Sequence, residues 1–135
     1  MGPVFHWYYH GFLLRNLPKI ASDGLVPRPF VWLATDFQTA ALWAERRSGR
    51  WTDSGQHITD PYTILRVQLN EQVVRPDPNL PGDLTSVTVD FRISPRNLKR
   101  LYGDVWVTPK KWVSIWKLDA VYLAAIKEAA TSNRR

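Results

Sequence analysis

Val4-Phe5-His6-Trp7-Tyr8-Tyr9-His10-Gly11 is dense in aromatic and β-branched side chains, and residues 4–9 read as a buried strand. A short helix is expected next, with Asn16 as its cap, Pro18 in its first turn and Gly24 as its stop. Phe30 to Ala34 reads as a second strand. Asp36 then caps a helix whose Phe37, Ala40, Ala41 and Ala44 recur at helical spacing, and Gly49 ends it. Residues 50–60 read as a polar loop and Tyr62 to Leu69 as a strand. Three prolines mark residues 75–82 as a loop. Val87, Val89, Phe91 and Ile93 alternate as in a half-buried strand. Ser94-Pro95 opens a short helix ending near Tyr102. Strands over 105–107 and 112–116, joined by a turn at 109–111, precede a closing helix capped by Asp119, with Val121, Ala125 and Ala129 on one face. This order lacks the regular strand–helix alternation of a doubly wound sheet. It predicts an α+β fold, antiparallel sheets with short helices packed beside them.

The chain has 135 residues, which suits one domain over residues 1–131 with a frayed basic tail at 132–135. No apolar run reaches the length of a membrane span, and the N-terminus lacks the pattern of a secretory signal, so a cytoplasmic protein is expected. The absence of cysteine excludes disulfides, thiolate zinc sites and cysteine nucleophiles. Lys and Arg outnumber Asp and Glu by 18 to 12, and the formal charge of +6 attracts nucleic acids and nucleotide phosphates. Seven Trp serve mostly as core, but one or two lining a site would stack on flat rings.

Individual side chains leave alternatives open. His10, at a strand end before a glycine, suits a hydrogen bond to a ribose hydroxyl or a satisfied place in the core. Arg46 and Arg47 suit a phosphate or the C-terminal dipole of their own helix. Lys110 and Lys111, beside Trp112 and Trp116, suit a nucleic-acid strand or a solvated edge over a Trp core. His6, His10 and His57 do not form a zinc pattern, so no metal is expected. No Walker loop, GxGxxG or nucleophile elbow is present.

Tyr9-His10-Gly11, Ile20-Ala21-Ser22-Asp23-Gly24-Leu25-Val26-Pro27 and Val31-Trp32-Leu33-Ala34-Thr35-Asp36, with Ala40, Ala41 and Ala44 following, stand in an order that resembles the ADP-ribosyltransferase superfamily. The likeness is nearest to the RNA 2′-phosphotransferase branch. It extends through Arg46-Arg47-Ser48-Gly49, Ile64-Leu65-Arg66-Val67 and Gly103-Asp104-Val105-Trp106-Val107-Thr108, covering most of Tyr8 to Ile115. The resemblance implies a split, bent antiparallel β-sandwich gripping NAD, which is substrate, with no metal. His10 falls at the family's ribose-holding histidine, next to Gly11. Trp32 stands where a stacking Tyr or His is usual, and Trp43 is a further candidate for binding the cofactor. Asp104 falls at the catalytic glutamate and would stabilise a cation-like ribose. The phosphotransferase branch has an aliphatic residue in place of that acid, and its N-terminal lobe has no counterpart here, so tRNA 2′-phosphate removal is not expected. The function implied is ADP-ribose transfer to a macromolecular acceptor, RNA, DNA or a protein, away from membranes. The alternative is a binding module of the same fold with an eroded catalytic set, such as an inhibitor of phage or mobile-element origin.

Overall fold

The computed structural model describes residues 4–80, 82–100, 104–107 and 111–114, with the backbone alone given for Thr59, for 98–100 and for the last two segments. Strand β1 (Phe5–Leu13) runs four residues beyond its expected end, straight through Gly11. A 3-10 turn (Leu14–Asn16) leads into helix α1 (Leu17–Asp23). Asn16 stands at the cap position as expected, but its side chain makes no capping bond, because the preceding turn already places its backbone in helical geometry (φ −88°, ψ −6°). Gly24 ends α1 at φ 79° and ψ −164°, a region open essentially to glycine alone.

Strand β2 (Val31–Ala34) and helix α2 (Phe37–Ser48) follow. Asp36 caps α2 as the sequence predicts, accepting from the Thr39 backbone N–H at 2.8 Å and from the Thr39 hydroxyl at 2.9 Å. Gly49 is extended (φ −76°), so the chain passes directly from α2 into strand β3 (Gly49–Trp51). β3 pairs antiparallel with β4 (His57–Thr59). The polar stretch expected as a loop is therefore a hairpin. Its strands alternate no apolar residues, and it is held by Thr52 N–H to Gln56 O (2.8 Å) and by a carboxylate at its base.

Strand β5 (Tyr62–Asn70) pairs with β1 along its full length, from Phe5 opposite Asn70 to Leu13 opposite Tyr62. The proline-rich stretch contains a two-residue edge strand, β6 (Arg75–Pro76). β7 (Ser86–Val89) stops four residues short of the expected end, and Ile93 instead makes a single bridge to Leu25. Helix α3 (Pro95–Arg100), β8 (Asp104–Val107) and β9 (Lys111–Ser114) complete the described chain. The expected closing helix, the 109–110 part of the last turn and the basic tail lie outside the described residues.

The fold is α+β. One antiparallel sheet runs β6-β7-β2-β1-β5-β8-β9, with β3-β4 as a separate two-stranded sheet. Alternation along β1 decides which helix packs where. Tyr8 and Phe12 join Leu33, Leu65 and Val67 beneath Leu17 and Ile20 of α1. Tyr9 joins Ala34, Ile64 and Ala40 beneath α2 on the opposite face. Gly11 lets α2 approach that face: a Cβ there would run into the Ala40 carbonyl oxygen and lie 2.8 Å from the Ala44 Cβ. β2 and β1 are joined by one register pair, Tyr9 opposite Ala34.

Candidate functional site

A cleft of about 510 Å³ opens beside the joint where β1 and β2 part. Both faces of the sheet contribute to it: His10 and Ile20 from the α1 side, Trp43 and Arg47 from α2. Trp32 of β2 and Arg28 of the loop before it also line it.

His10 is fixed from two directions. Its Nδ1 donates to the Trp32 carbonyl at 2.9 Å, which leaves Nε2 as an acceptor. Its ring stacks on Phe12 with centroids 5.9 Å apart. Burial is the main influence pushing its pKa below the usual histidine value. The Trp32 carbonyl opposes that shift and the Arg47 charge adds to it. The imidazole is therefore neutral at pH 7 and able to accept a hydroxyl proton. A stability consequence follows. Unfolding releases His10 to its ordinary pKa of 6.5, so below that value the unfolded chain binds a proton that the folded chain refuses. Stability is expected to fall as pH drops through 6.5 toward the depressed folded value, and His10→Gln should remove that part of the slope. Urea midpoints of both proteins between about pH 7.5 and 5 check it, and parallel curves would refute it.

The Trp32 ring is also held. Phe30 meets it edge-on at 5.9 Å, and its indole N–H interacts with Asp77. Asp77 is buried and accepts from the Ser86 hydroxyl at 2.6 Å and from the Asn79 backbone N–H at 2.8 Å. The Ser86 bond is the largest of the effects that hold its carboxyl below the usual aspartate range. Asp77 thereby ties the proline-rich segment to the cleft wall.

Lys19, Arg28 and Arg47 line the cleft, and among the described residues none of them pairs with a carboxylate. Asp23 is the one carboxylate among the described lining residues. Three cations, two indoles and a neutral imidazole suit a ligand that is anionic, carries flat rings and offers hydroxyls.

Of the residues singled out in the sequence, His10, Gly11, Trp32, Trp43 and Arg47 line this cleft. Arg46 is exposed and is not among the described lining residues. The Asp104 backbone begins β8 and stands opposite Arg66, in the register row of Tyr9, whereas His10 shares its row with Leu65 and Val105. Lys111 stands opposite Val107 on the outermost strand, and Lys110 lies outside the described residues. The sequence reading passed over Lys19, Asp23, Arg28 and Asp77. A signal was present for the first two: Asn16, Lys19, Ile20 and Asp23 form one helical stripe, and all four line the cleft. Among the described residues no group of three His, Asp or Glu could hold a metal ion, and no helix is long and apolar enough to cross a membrane.

No protein-family model, curated protein or solved structure matches the chain significantly.

Proposed function

We propose that the cleft binds NAD and that the protein transfers ADP-ribose from it to a macromolecular acceptor, nucleic acid being the class its charge favours. The observation that carries this reading is the lining itself: a His10 held at Nδ1, two indoles, and three cations that have no carboxylate partner among the described residues. The architecture we assign is the split sandwich of ADP-ribosyltransferases. The single Tyr9–Ala34 joint between β6-β7-β2 and β1-β5-β8-β9 supports it.

In this reading His10 Nε2 accepts a ribose hydroxyl. The cations hold the pyrophosphate, and Trp32 and Trp43 pack against the rings. The bond between ribose C1′ and nicotinamide nitrogen breaks, and its electron pair leaves with the nitrogen, which becomes neutral. The acceptor's nucleophilic atom bonds to C1′ and releases its proton to solvent. Asp104 is assigned the stabilising carboxylate. A second reading, an NAD-binding module without turnover, is favoured by the register of β8, which sets Asp104 in the row of Tyr9 rather than that of His10.

Calorimetry and an NAD-consumption assay separate these readings. For the enzyme, NAD binds, His10→Ala weakens binding about tenfold or more, and Asp104→Asn abolishes a turnover seen over hours. Binding without turnover leaves the module. RNA binding with steep salt dependence and no affinity for NAD overturns both in favour of a purely electrostatic partner.

A further inference from the structure

Asp23 is out of place for a merely structural residue. It closes α1, where the helix carbonyls concentrate negative charge and a carboxylate is disfavoured. Its carboxylate does little for the fold. Oδ1 accepts from the neighbouring Ser22 hydroxyl at 3.0 Å, and Oδ2 has no hydrogen bond among the described residues. The main chain beneath it is fixed, because Arg92 Nε donates to the Asp23 carbonyl at 2.7 Å and Gly24 N–H to the Ile20 carbonyl at 2.8 Å. A held backbone thus carries an exposed carboxylate at a residue that lines a cleft whose other charged lining residues, Lys19, Arg28 and Arg47, are cationic.

We infer that Asp23 is a second hydroxyl acceptor of the cleft beside His10, taking hydrogen bonds from the remaining sugar hydroxyls of a ligand whose phosphates the three cations hold. The division of labour follows from charge. A carboxylate repels phosphate but accepts hydroxyl protons more strongly than a neutral group does. A cleft meant for inorganic polyphosphate gains nothing from it, whereas a cleft meant for a phosphorylated sugar gains selectivity. This inference rests on the proposed dinucleotide cleft and adds to it a charged acceptor for the ribose hydroxyls that His10 does not take.

The sign of one substitution tests it. Asp23→Asn removes a negative charge from a cationic cleft, so if the carboxylate makes no bond to ligand, every anionic ligand should bind as tightly as before or more tightly. If Asp23 holds sugar hydroxyls, ADP-ribose should bind about tenfold more weakly, in line with loss of a charge-assisted hydrogen bond, while inorganic pyrophosphate is unaffected or tighter. Calorimetry of wild-type and variant protein with both ligands reads this directly. The position is exposed, so unchanged thermal unfolding is expected and establishes that the variant is folded. Equal or tighter ADP-ribose binding by the variant overturns the assignment to Asp23 and leaves the dinucleotide reading standing. Parallel weakening of both ligands also overturns it, since that would mean a general loss of the cleft. Failure of wild-type protein to bind ADP-ribose removes both readings.

Discussion

A methyl group at position 11 is expected to cost the fold about 3 kcal/mol, the upper end of what overpacking a tight interior usually costs. The reason is what the added carbon meets. Its nearest neighbour would be the Ala40 carbonyl oxygen, part of the backbone of α2, and the next would be the Ala44 Cβ at 2.8 Å. No rotamer change relieves a clash with main chain, so either α2 moves off the sheet or β1 bends. Both elements carry cleft residues: His10 adjoins Gly11 on β1, and Trp43 and Arg47 lie on α2. Gly11→Ala should therefore lose ligand affinity as well as stability, and the two losses should track each other. Urea unfolding followed by intrinsic fluorescence measures the first, with an unchanged m-value expected. Adding Ala44→Gly should recover only part of the loss, because it removes the Cβ contact and leaves the carbonyl. Gly82→Ala is the control, since a Cβ there meets nothing within 4 Å and should cost little. A Gly11→Ala protein as stable as wild type would mean that the helix does not sit on the sheet as described.

This contact also shows what could and could not be read from the sequence. The strands with aromatic or alternating apolar residues, β1, β2 and β5, were legible because side-chain period reports directly on a half-buried sheet. The start of α2 was legible because Asp36 supplies a local cap that no distant residue alters. Gly11 was visible only as permission for close approach; the helix that uses it lies about thirty residues away in sequence. The β3-β4 hairpin was missed because Thr52, Ser54 and Gln56 bond to one another within a polar stretch that has no apolar period. The alternation outruns β7 because Phe91 and Ile93 keep it after the chain has left the sheet, Ile93 turning instead to Leu25. His10 was legible as a candidate because Gly11 follows it, although β1 runs on through both and His10 lies inside the strand rather than at its end. Trp32 was legible because it falls where the resembled family stacks a ring. Asp77 was not, since its partners Ser86 and Trp32 are brought to it only when β7 pairs with β2. The cleft depends on β1 and β2 separating after one register pair, and strand sequences do not report how far a pairing extends.

Asp60→Ala is expected to destabilise the protein by about 2–3 kcal/mol, between the value of an exposed ion pair and the cost of stripping one partner from a buried one. The intermediate figure follows from the exposures. The Asp60 side chain is 7% exposed, while Arg15 and Arg50 retain 31% and 32%. Arg50 Nε donates to both carboxylate oxygens, at 3.1 and 3.2 Å, and an Arg15 guanidinium nitrogen donates to Oδ2 at 3.2 Å. Removing the carboxylate takes from two guanidinium groups, each about two-thirds desolvated, the charge they share. The main chain should hold, because Asp60 N–H bonds to the Ser48 carbonyl and Leu14 N–H to the Pro61 carbonyl. The loss should therefore loosen the hairpin against the turn before α1 without dispersing the fold, and amide exchange should quicken at Thr52 and Gln56 before it does in β5. In double-mutant cycles Asp60 should couple more strongly to Arg50, whose Nε–H is shared between both carboxylate oxygens, than to Arg15, which reaches one. Converting all three together, Arg15→Met with Arg50→Met and Asp60→Leu, should return much of the lost stability, because no stranded charge then remains. A single Asp60→Ala change within about 0.5 kcal/mol of wild type at both low and high salt would show instead that the two arginines rehydrate freely and that the hairpin needs no ionic anchor.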